Sequence, residues 1–186
     1  MTASARTCYN KTNFASPEGR GKLCGRFVPA HREGGTIMSH SEKAVELFKQ
    51  GYNCAQAVFA AFSEEVGLPV DTMLKLSSGF GGGIGRMREV CGAFNGAVLV
   101  VGALYGTDDP AGKTGTYTII QELAAQFKAE MGSLICRDLL GLDKPEGSPV
   151  ASPRTEAYYK KRPCAETVAV AADLMEKYLA AHPVAR

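Results

Sequence analysis

Residues 79–105 read GFGGGIGRMREVCGAFNGAVLVVGALY, and this stretch decides the predicted fold class. Its second part, from Val90 to Tyr105, is almost entirely apolar and has the composition of a buried element. Gly92 and Gly96 place small residues along it, and a residue without a side chain lets another backbone approach closely. We therefore predict a central helix over 86–105, packed tightly against a second helix.

Amphipathic patterns on both sides of this stretch predict further helices. Ser39 and Glu42 have capping-box spacing, which indicates a helix start beside Met38. Asn53 is a suitable cap for a second helix, and Pro163 suits the first position of the last one. We find no alternating pattern that predicts a strand. The sequence predicts an all-α protein, a compact bundle of about six to seven helices.

Residues 1–37 differ in composition from the rest of the chain. They hold six Lys or Arg and two Asp or Glu, whereas the remaining 149 residues hold fifteen and seventeen. Gly, Ser and Pro are frequent in this part, and no helical or strand period persists. We predict a flexible, disordered basic leader over 1–37 and a folded domain over 38–186. Cys8 and Cys24 lie in the leader and are interpreted as bystanders.

Charge and hydropathy exclude several classes of function. A net charge of +2 argues against a dedicated nucleic-acid surface. The apolar stretch from Val90 is interrupted by Asn95 and is short for a membrane span, so we expect no membrane insertion. We see no secretory signal and predict a cytoplasmic protein. In a reducing compartment, clustered cysteines indicate metal binding or catalysis more often than structural disulfides.

The glycine-rich run at residues 79–85 has five glycines in seven positions. Such a run permits positive φ angles and close backbone approach. No Gly-Lys-Ser/Thr follows it, which argues against a nucleotide-binding loop. We expect this backbone to wrap close to Cys91, with N–H groups free to bond sulfur.

Four cysteines, Cys54, Cys91, Cys136 and Cys164, each lie where a predicted helix begins or turns inward. Free N–H groups and partial positive charge at a helix N-terminus lower the pKa of a thiol there. The sequence thus predicts four thiols that ionise easily. Because the thiolate binds metals and attacks disulfides, this pattern indicates redox or metal chemistry.

The spacing of these cysteines leaves several interpretations open. No C-x-x-C pair occurs, which removes the strong zinc-finger and ferredoxin signatures. Ligands from four helices can still meet in a bundle core. Inert buried cysteines are a serious alternative, because free cysteine is among the most buried residue types. A metal-free dithiol–disulfide pair, a structural zinc site and a disulfide framework built on the even number of six cysteines also stay open.

The same residues resemble a known family. The glycine-rich run is followed by Gly-Arg-Met at 85–87 and Val-Cys-Gly-Ala-Phe-Asn-Gly at 90–96, with one body cysteine before and two after. From about Ser41 to Leu179 the chain is similar to the C_GCAxxG_C_C family of redox-active proteins, which is related to the iron–sulfur part of split-Soret cytochrome c. The resemblance implies an all-helical redox domain in which the four body cysteines are cluster ligands or redox thiols. It implies no haem, since the chain has no C-x-x-C-H.

The function predicted on this basis is a redox-active protein that binds an iron–sulfur cluster through Cys54, Cys91, Cys136 and Cys164, for electron transfer or redox sensing. Its alternatives are a metal-free thiol–disulfide protein and a helical interaction module with buried cysteines or zinc. Arg86, Arg88 and Arg137 lie near the cysteines in sequence and are candidates to lower a thiol pKa or balance a cluster. For Arg88 we favour a solvated surface charge. The cluster type, an enzymatic activity, the redox partner and a homodimer are left open.

Overall fold

The computed structural model describes residues 38–184, and within them the protein is all-α, as predicted. The predicted flexible leader, with Cys8 and Cys24, lies outside these residues. Nine α-helices are present in the described part, three of them shorter than seven residues, so the expected six to seven is close. The bounds are α1 His40–Lys49, α2 Cys54–Ala61, α3 Ser63–Val66, α4 Val70–Ser77, α5 Gly92–Tyr105, α6 Lys113–Met131, α7 Cys136–Leu139, α8 Glu156–Lys161 and α9 Cys164–Ala181.

Local capping explains where the first helices begin. The Ser39 side chain accepts from the Glu42 N–H, and the Glu42 carboxylate accepts from the Ser39 N–H. Asn53 forms the same reciprocal pair with Gln56 at the start of α2. These contacts satisfy backbone donors that a helix N-terminus otherwise leaves unpaired, so both predicted starts are confirmed.

The core lies where α1, α2, α5 and α9 pack against one another, with α4 beside α2 and α6 beside α5 and α9. Phe48, Phe62 and Phe127 are fully buried there. Burial of such a side chain stabilises the fold by about 1.5–3 kcal/mol. Between α2 and α5, a Cβ added at Gly96 would lie 2.7 Å from the Cβ of Val58. The predicted close approach of two helices on the small-residue face of α5 is therefore confirmed.

The segment before α5 differs from the prediction. We expected a helix from Arg86, but the chain turns from Gly81 to Arg88, and α5 begins only at Gly92. Ile84, Arg86 and Arg88 all have positive φ angles, which a right-handed helix does not allow. Val90 instead forms an isolated antiparallel bridge with Ile135. The glycine-rich run and the residues after it therefore form a compact coil rather than the first turn of a helix.

No helix within residues 38–184 combines the length and the apolar character that crossing a membrane requires.

Candidate functional site

Each of the four body cysteines stands at a helix N-terminus. Cys54, Cys136 and Cys164 are the first residues of α2, α7 and α9, and Cys91 is the N-cap of α5. The predicted placement in the first turn of a helix is confirmed for Cys54 and Cys164. Cys91 was expected inside a helix from Arg86, and it stands at a helix start because α5 begins later than predicted.

All four cysteines line one cavity of about 50 Å³. Roughly 10–15 Å³ of such volume holds one water molecule, so this cavity has room for a few atoms and no more. Cys54, Cys91 and Cys136 are buried, and Cys164 is half-buried. The four cysteines therefore line the same cavity although they lie far apart in the sequence.

Backbone hydrogen bonds bring the starts of α5 and α7 together. The Cys91 N–H donates to the Leu134 carbonyl at 2.7 Å, and the Cys136 N–H donates to the Glu89 carbonyl at 2.7 Å. Both bonds flank the bridge between Val90 and Ile135. The positions of two of the four cysteines are thus set by the same short pairing of the chain.

Glycines provide the space that the thiols occupy. A Cβ added at Gly92 would come within 3.2 Å of the Cys54 Cβ, and one added at Gly83 would lie 2.7 Å from the Cys136 Cβ. Gly83 also has a φ of 69°, which favours glycine. We expected the glycine-rich run to wrap around Cys91, but this glycine of the run packs against Cys136. The difference arises because Cys136 comes from a distant segment whose position the local sequence does not encode.

Burial and the neighbouring thiols, rather than the helix termini, determine the pKa values of three thiols. It raises the pKa of Cys91 to about 12, although N–H groups of Ala93 and Phe94 oppose the shift. Burial also raises the pKa of Cys136, and the Arg88 guanidinium opposes it. The pKa of Cys54 rises because its thiol hydrogen bonds to Cys164 and is buried. The prediction of four easily ionised thiols is wrong for these three, since desolvation disfavours a thiolate.

Cys164 behaves in the opposite way. A hydrogen bond with Cys54 lowers its pKa to about 7, against the effect of burial, and Arg162, Arg154 and Arg88 add favourable charge. Of these two neighbouring thiols, Cys164 is the one that ionises first. At neutral pH Cys164 therefore carries about half a negative charge, beside three guanidinium groups.

Arg88 is buried, with only 3% of its surface exposed, so its interpretation as a solvated surface charge is wrong. Its Nε donates to Glu146 Oε2 at 2.9 Å, and its Nη2 binds the same oxygen. Its Nη1 donates to the Cys136 Sγ at 3.9 Å. A buried charge requires such partners, because desolvation without them is very unfavourable. Arg88 therefore links the loop that carries Glu146 to the cysteine cavity.

The other two arginines considered from the sequence have different positions. Arg86 pairs with Glu146 at 3.2 Å and donates to the Ser152 Oγ, outside the cysteine cavity. Arg137 pairs with Asp138 at 3.5 Å and does not line the cysteine cavity. It also lies outside a second, wider cavity, which Arg86 and Arg88 help to line. Of the three arginines that were considered because they lie near a cysteine in sequence, only Arg88 lines the cysteine cavity.

Sequence reasoning missed three residues of the cavity wall, Arg154, Tyr158 and Arg162. The Arg154 guanidinium lies over the Phe48 and Tyr158 rings, at 4.4 and 4.6 Å from their centroids, and Arg162 lies 4.9 Å from that of Tyr158. Arg162 could have been proposed from the sequence as a residue of the cavity wall, because it lies two residues before Cys164. For Arg154 the sequence carries no local signal, since its loop has no regular structure.

The thiols share a cavity without already forming a metal-binding group. Among residues 38–184, no three His, Cys, Asp or Glu side chains are grouped closely enough to hold a metal ion. The donor set nevertheless fits an iron–sulfur cluster in its chemistry, because four thiolates are the usual ligands of such clusters. The role of the four cysteines as ligands stays a prediction.

These features define a class: an all-helical protein in which four helix starts present cysteines to one small cavity walled by arginines. A family model described as "Putative redox-active protein (C_GCAxxG_C_C)" matches residues 52–178, more than half of the chain. The chain belongs to this family, as the resemblance had indicated, and the coarse prediction of a redox-active protein has the family's support. No curated protein and no solved structure matches the chain.

Proposed function

We propose that the protein binds an iron–sulfur cluster through Cys54, Cys91, Cys136 and Cys164 and uses it for electron transfer or redox sensing. The observation that carries the proposal is that four cysteines from four separate helix starts line one cavity. Four inert core cysteines would have no reason to line the same small cavity. Thiolates are soft ligands that suit iron in such clusters.

When bound, a cluster would supply one-electron chemistry, and the chain's own residues would adjust it. Arg88 donates toward the Cys136 sulfur, and N–H donors near a ligand stabilise negative charge on it. The burial of three of the thiols keeps water away from the centre. Arg154 and Arg162 add positive charge on the side of Cys164. These residues would favour the more negative, reduced state of a bound group.

Anaerobic purification followed by iron, acid-labile sulfide and zinc analysis tests the proposal. We expect iron and sulfide in the wild type and their loss in Cys91→Ser and Cys136→Ser. Cys24→Ser is the matched control, because it removes a cysteine outside the predicted ligand set and should keep both elements. A wild type without iron after anaerobic reconstitution contradicts the cluster. Zinc alone in the wild type would favour the structural zinc site that the sequence left open.

A second candidate, metal-free thiol–disulfide chemistry, is favoured by the interaction of the Cys54 and Cys164 thiols in one cavity. A thiolate with a pKa of about 7 beside a second thiol is well suited to disulfide formation. The Cys54 thiol and the Cys164 thiolate would pass two electrons to an external two-electron oxidant, such as another disulfide, release one proton and form one S–S bond. Disulfide mapping separates the candidates: Cys136→Ser should abolish a four-cysteine cluster but leave a reversible disulfide between Cys54 and Cys164.

A further inference from the structure

A wider cavity, of about 280 Å³, adjoins the cysteine cavity. Four arginines line it: Arg86, Arg88, Arg154 and Arg162. The two cavities share wall residues, among them Arg88, Arg154 and Arg162. Four guanidinium groups around one opening repel one another unless negative charge lies among them.

Protein carboxylates compensate only part of this charge. Glu146 pairs with Arg86 and Arg88, and no acidic side chain from residues 38–184 lines the wider cavity. One carboxylate against four guanidinium groups leaves about three positive charges at the opening. The wider cavity therefore keeps a positive potential.

Two of the arginines retain free donors. Arg154 Nη2 donates to the Tyr52 carbonyl at 3.0 Å, but its Nη1 is buried without a hydrogen-bond partner within residues 38–184. Arg162 forms neither a hydrogen bond nor an ion pair with any residue in that range, and lies over the Tyr158 ring. A buried N–H without a partner costs free energy, so its persistence indicates a missing acceptor.

We propose that this cavity, here called the arginine cavity, binds a small oxyanion of the phosphate or carboxylate type that carries at least two negative charges. The planar guanidinium group matches such oxygens with two parallel hydrogen bonds. Arg154 and Arg162 are the binding residues, held in place by their contacts with Tyr158. Arg86 and Arg88 are positioned by Glu146 and contribute charge at the opposite side of the opening.

The placement of the arginine cavity brings the anion next to the cysteines. Because Arg162 and Arg154 line both cavities, an anion held by them lies beside the cysteine cavity. The arginines and their unpaired donors are present whether the cysteines hold a cluster, form a disulfide or do neither, so the anion site is independent of the proposed function.

Isothermal titration calorimetry on the full-length protein tests the site. The probes are inorganic phosphate, pyrophosphate and citrate, each titrated at an ionic strength kept constant with chloride. We expect saturable binding that weakens about tenfold or more in Arg162→Gln and Arg154→Gln, as for loss of a hydrogen bond to a charged group. Arg137→Gln is the matched control. It removes the same charge outside the cavity, and its affinity should stay within about twofold of the wild type.

Comparison of the phosphate probes with citrate identifies which oxyanion chemistry the cavity prefers. The proposal is overturned if the wild type binds none of the probes, or if both cavity variants bind as the wild type does. It is also overturned if Arg137→Gln loses as much affinity as they do, because binding would then follow total charge. If Arg154→Gln does not fold, because it loses the contact with Phe48, the affinity of Arg162→Gln tests the proposal. Arg162 lies over the Tyr158 ring and has no contact with Phe48 of this kind.

Discussion

The thiols of Cys54 and Cys164, at the N-termini of α2 and α9, line the same cavity and shift the pKa of each other in opposite directions. This interaction makes two chemically identical thiols unlike. It raises the pKa of Cys54 and lowers that of Cys164 to about 7. Of the four cysteines that line the cavity, Cys164 is also the only one that is not fully buried. We therefore expect reagents in solution to modify Cys164 before the other three thiols.

Alkylation of the metal-free protein should show this difference directly. The rate at Cys164 should rise with pH through a midpoint of about 7, because the thiolate is the reactive form. Cys54→Ala removes the donor that stabilises the thiolate, so the midpoint should move up toward the usual value of about 8.5. Cys54→Ser keeps an O–H donor and should stay closer to the wild type. Peptide-level mass spectrometry of iodoacetamide labelling measures each midpoint, and equal midpoints in all three proteins contradict the pairing.

Loss of the Glu146 carboxylate should destabilise the protein at neutral pH. Glu146→Gln weakens the partner of a buried guanidinium, and we expect the free energy of unfolding to fall by about 1–2 kcal/mol. The Arg88 hydrogen bond lowers the pKa of Glu146. Its contribution is therefore present above the unfolded pKa of about 4.3 and is lost as the pH falls through the lower folded pKa.

Urea denaturation of wild type and Glu146→Gln at several pH values measures this contribution. The two stabilities should converge in acid and separate at neutral pH. Asp71→Asn is the control, since Asp71 pairs with Lys75 on an exposed helix face and should matter much less. A difference between wild type and Glu146→Gln that does not depend on pH would contradict the assignment.

Two glycines of the same coil should respond differently to alanine. Gly83 and Gly85 both have positive φ angles, so both substitutions incur the cost of a left-handed alanine. Gly83→Ala in addition places a Cβ 2.7 Å from Cys136 Cβ and from the Glu89 nitrogen, whereas nothing lies within 4 Å at Gly85. Gly83→Ala should therefore destabilise the protein by about 1–3 kcal/mol more than Gly85→Ala in urea denaturation. Equal losses would show that Cys136 does not pack on this glycine.

A second pair of glycines tests the approach of α2 to α5. Gly96→Ala would place a Cβ 2.7 Å from Val58 Cβ and should cost about 1–3 kcal/mol. Gly102 lies on the same helix with nothing within 4 Å of an added Cβ. Gly102→Ala should stabilise the protein by about 0.5–1 kcal/mol, because alanine is the better helix former. Thermal unfolding followed by circular dichroism checks the opposite signs, and a Gly96→Ala protein as stable as wild type contradicts the packing.

A helix start could be predicted from the sequence where the contacts that set it join residues close together in the chain. The starts of α1 and α2 were predictable, because the pairs of Ser39 with Glu42 and of Asn53 with Gln56 span three residues. The start of α5 was predicted too early, since the coil before it is held by Ile135, Cys136 and their neighbours. Apolar composition indicates burial, but it does not show where regular structure begins.

The sequence by itself determined the all-α class, the helix starts at Cys54 and Cys164 and the family, because caps, periodicity and motifs are local. Only the tertiary structure decided that the four thiols line one cavity, that Arg88 is buried against Cys136, and that Cys164 is the one of these four cysteines with a lowered pKa. Those properties depend on desolvation and on charges from distant segments. They arise only when the helices pack, which is why no pattern along the chain encodes them.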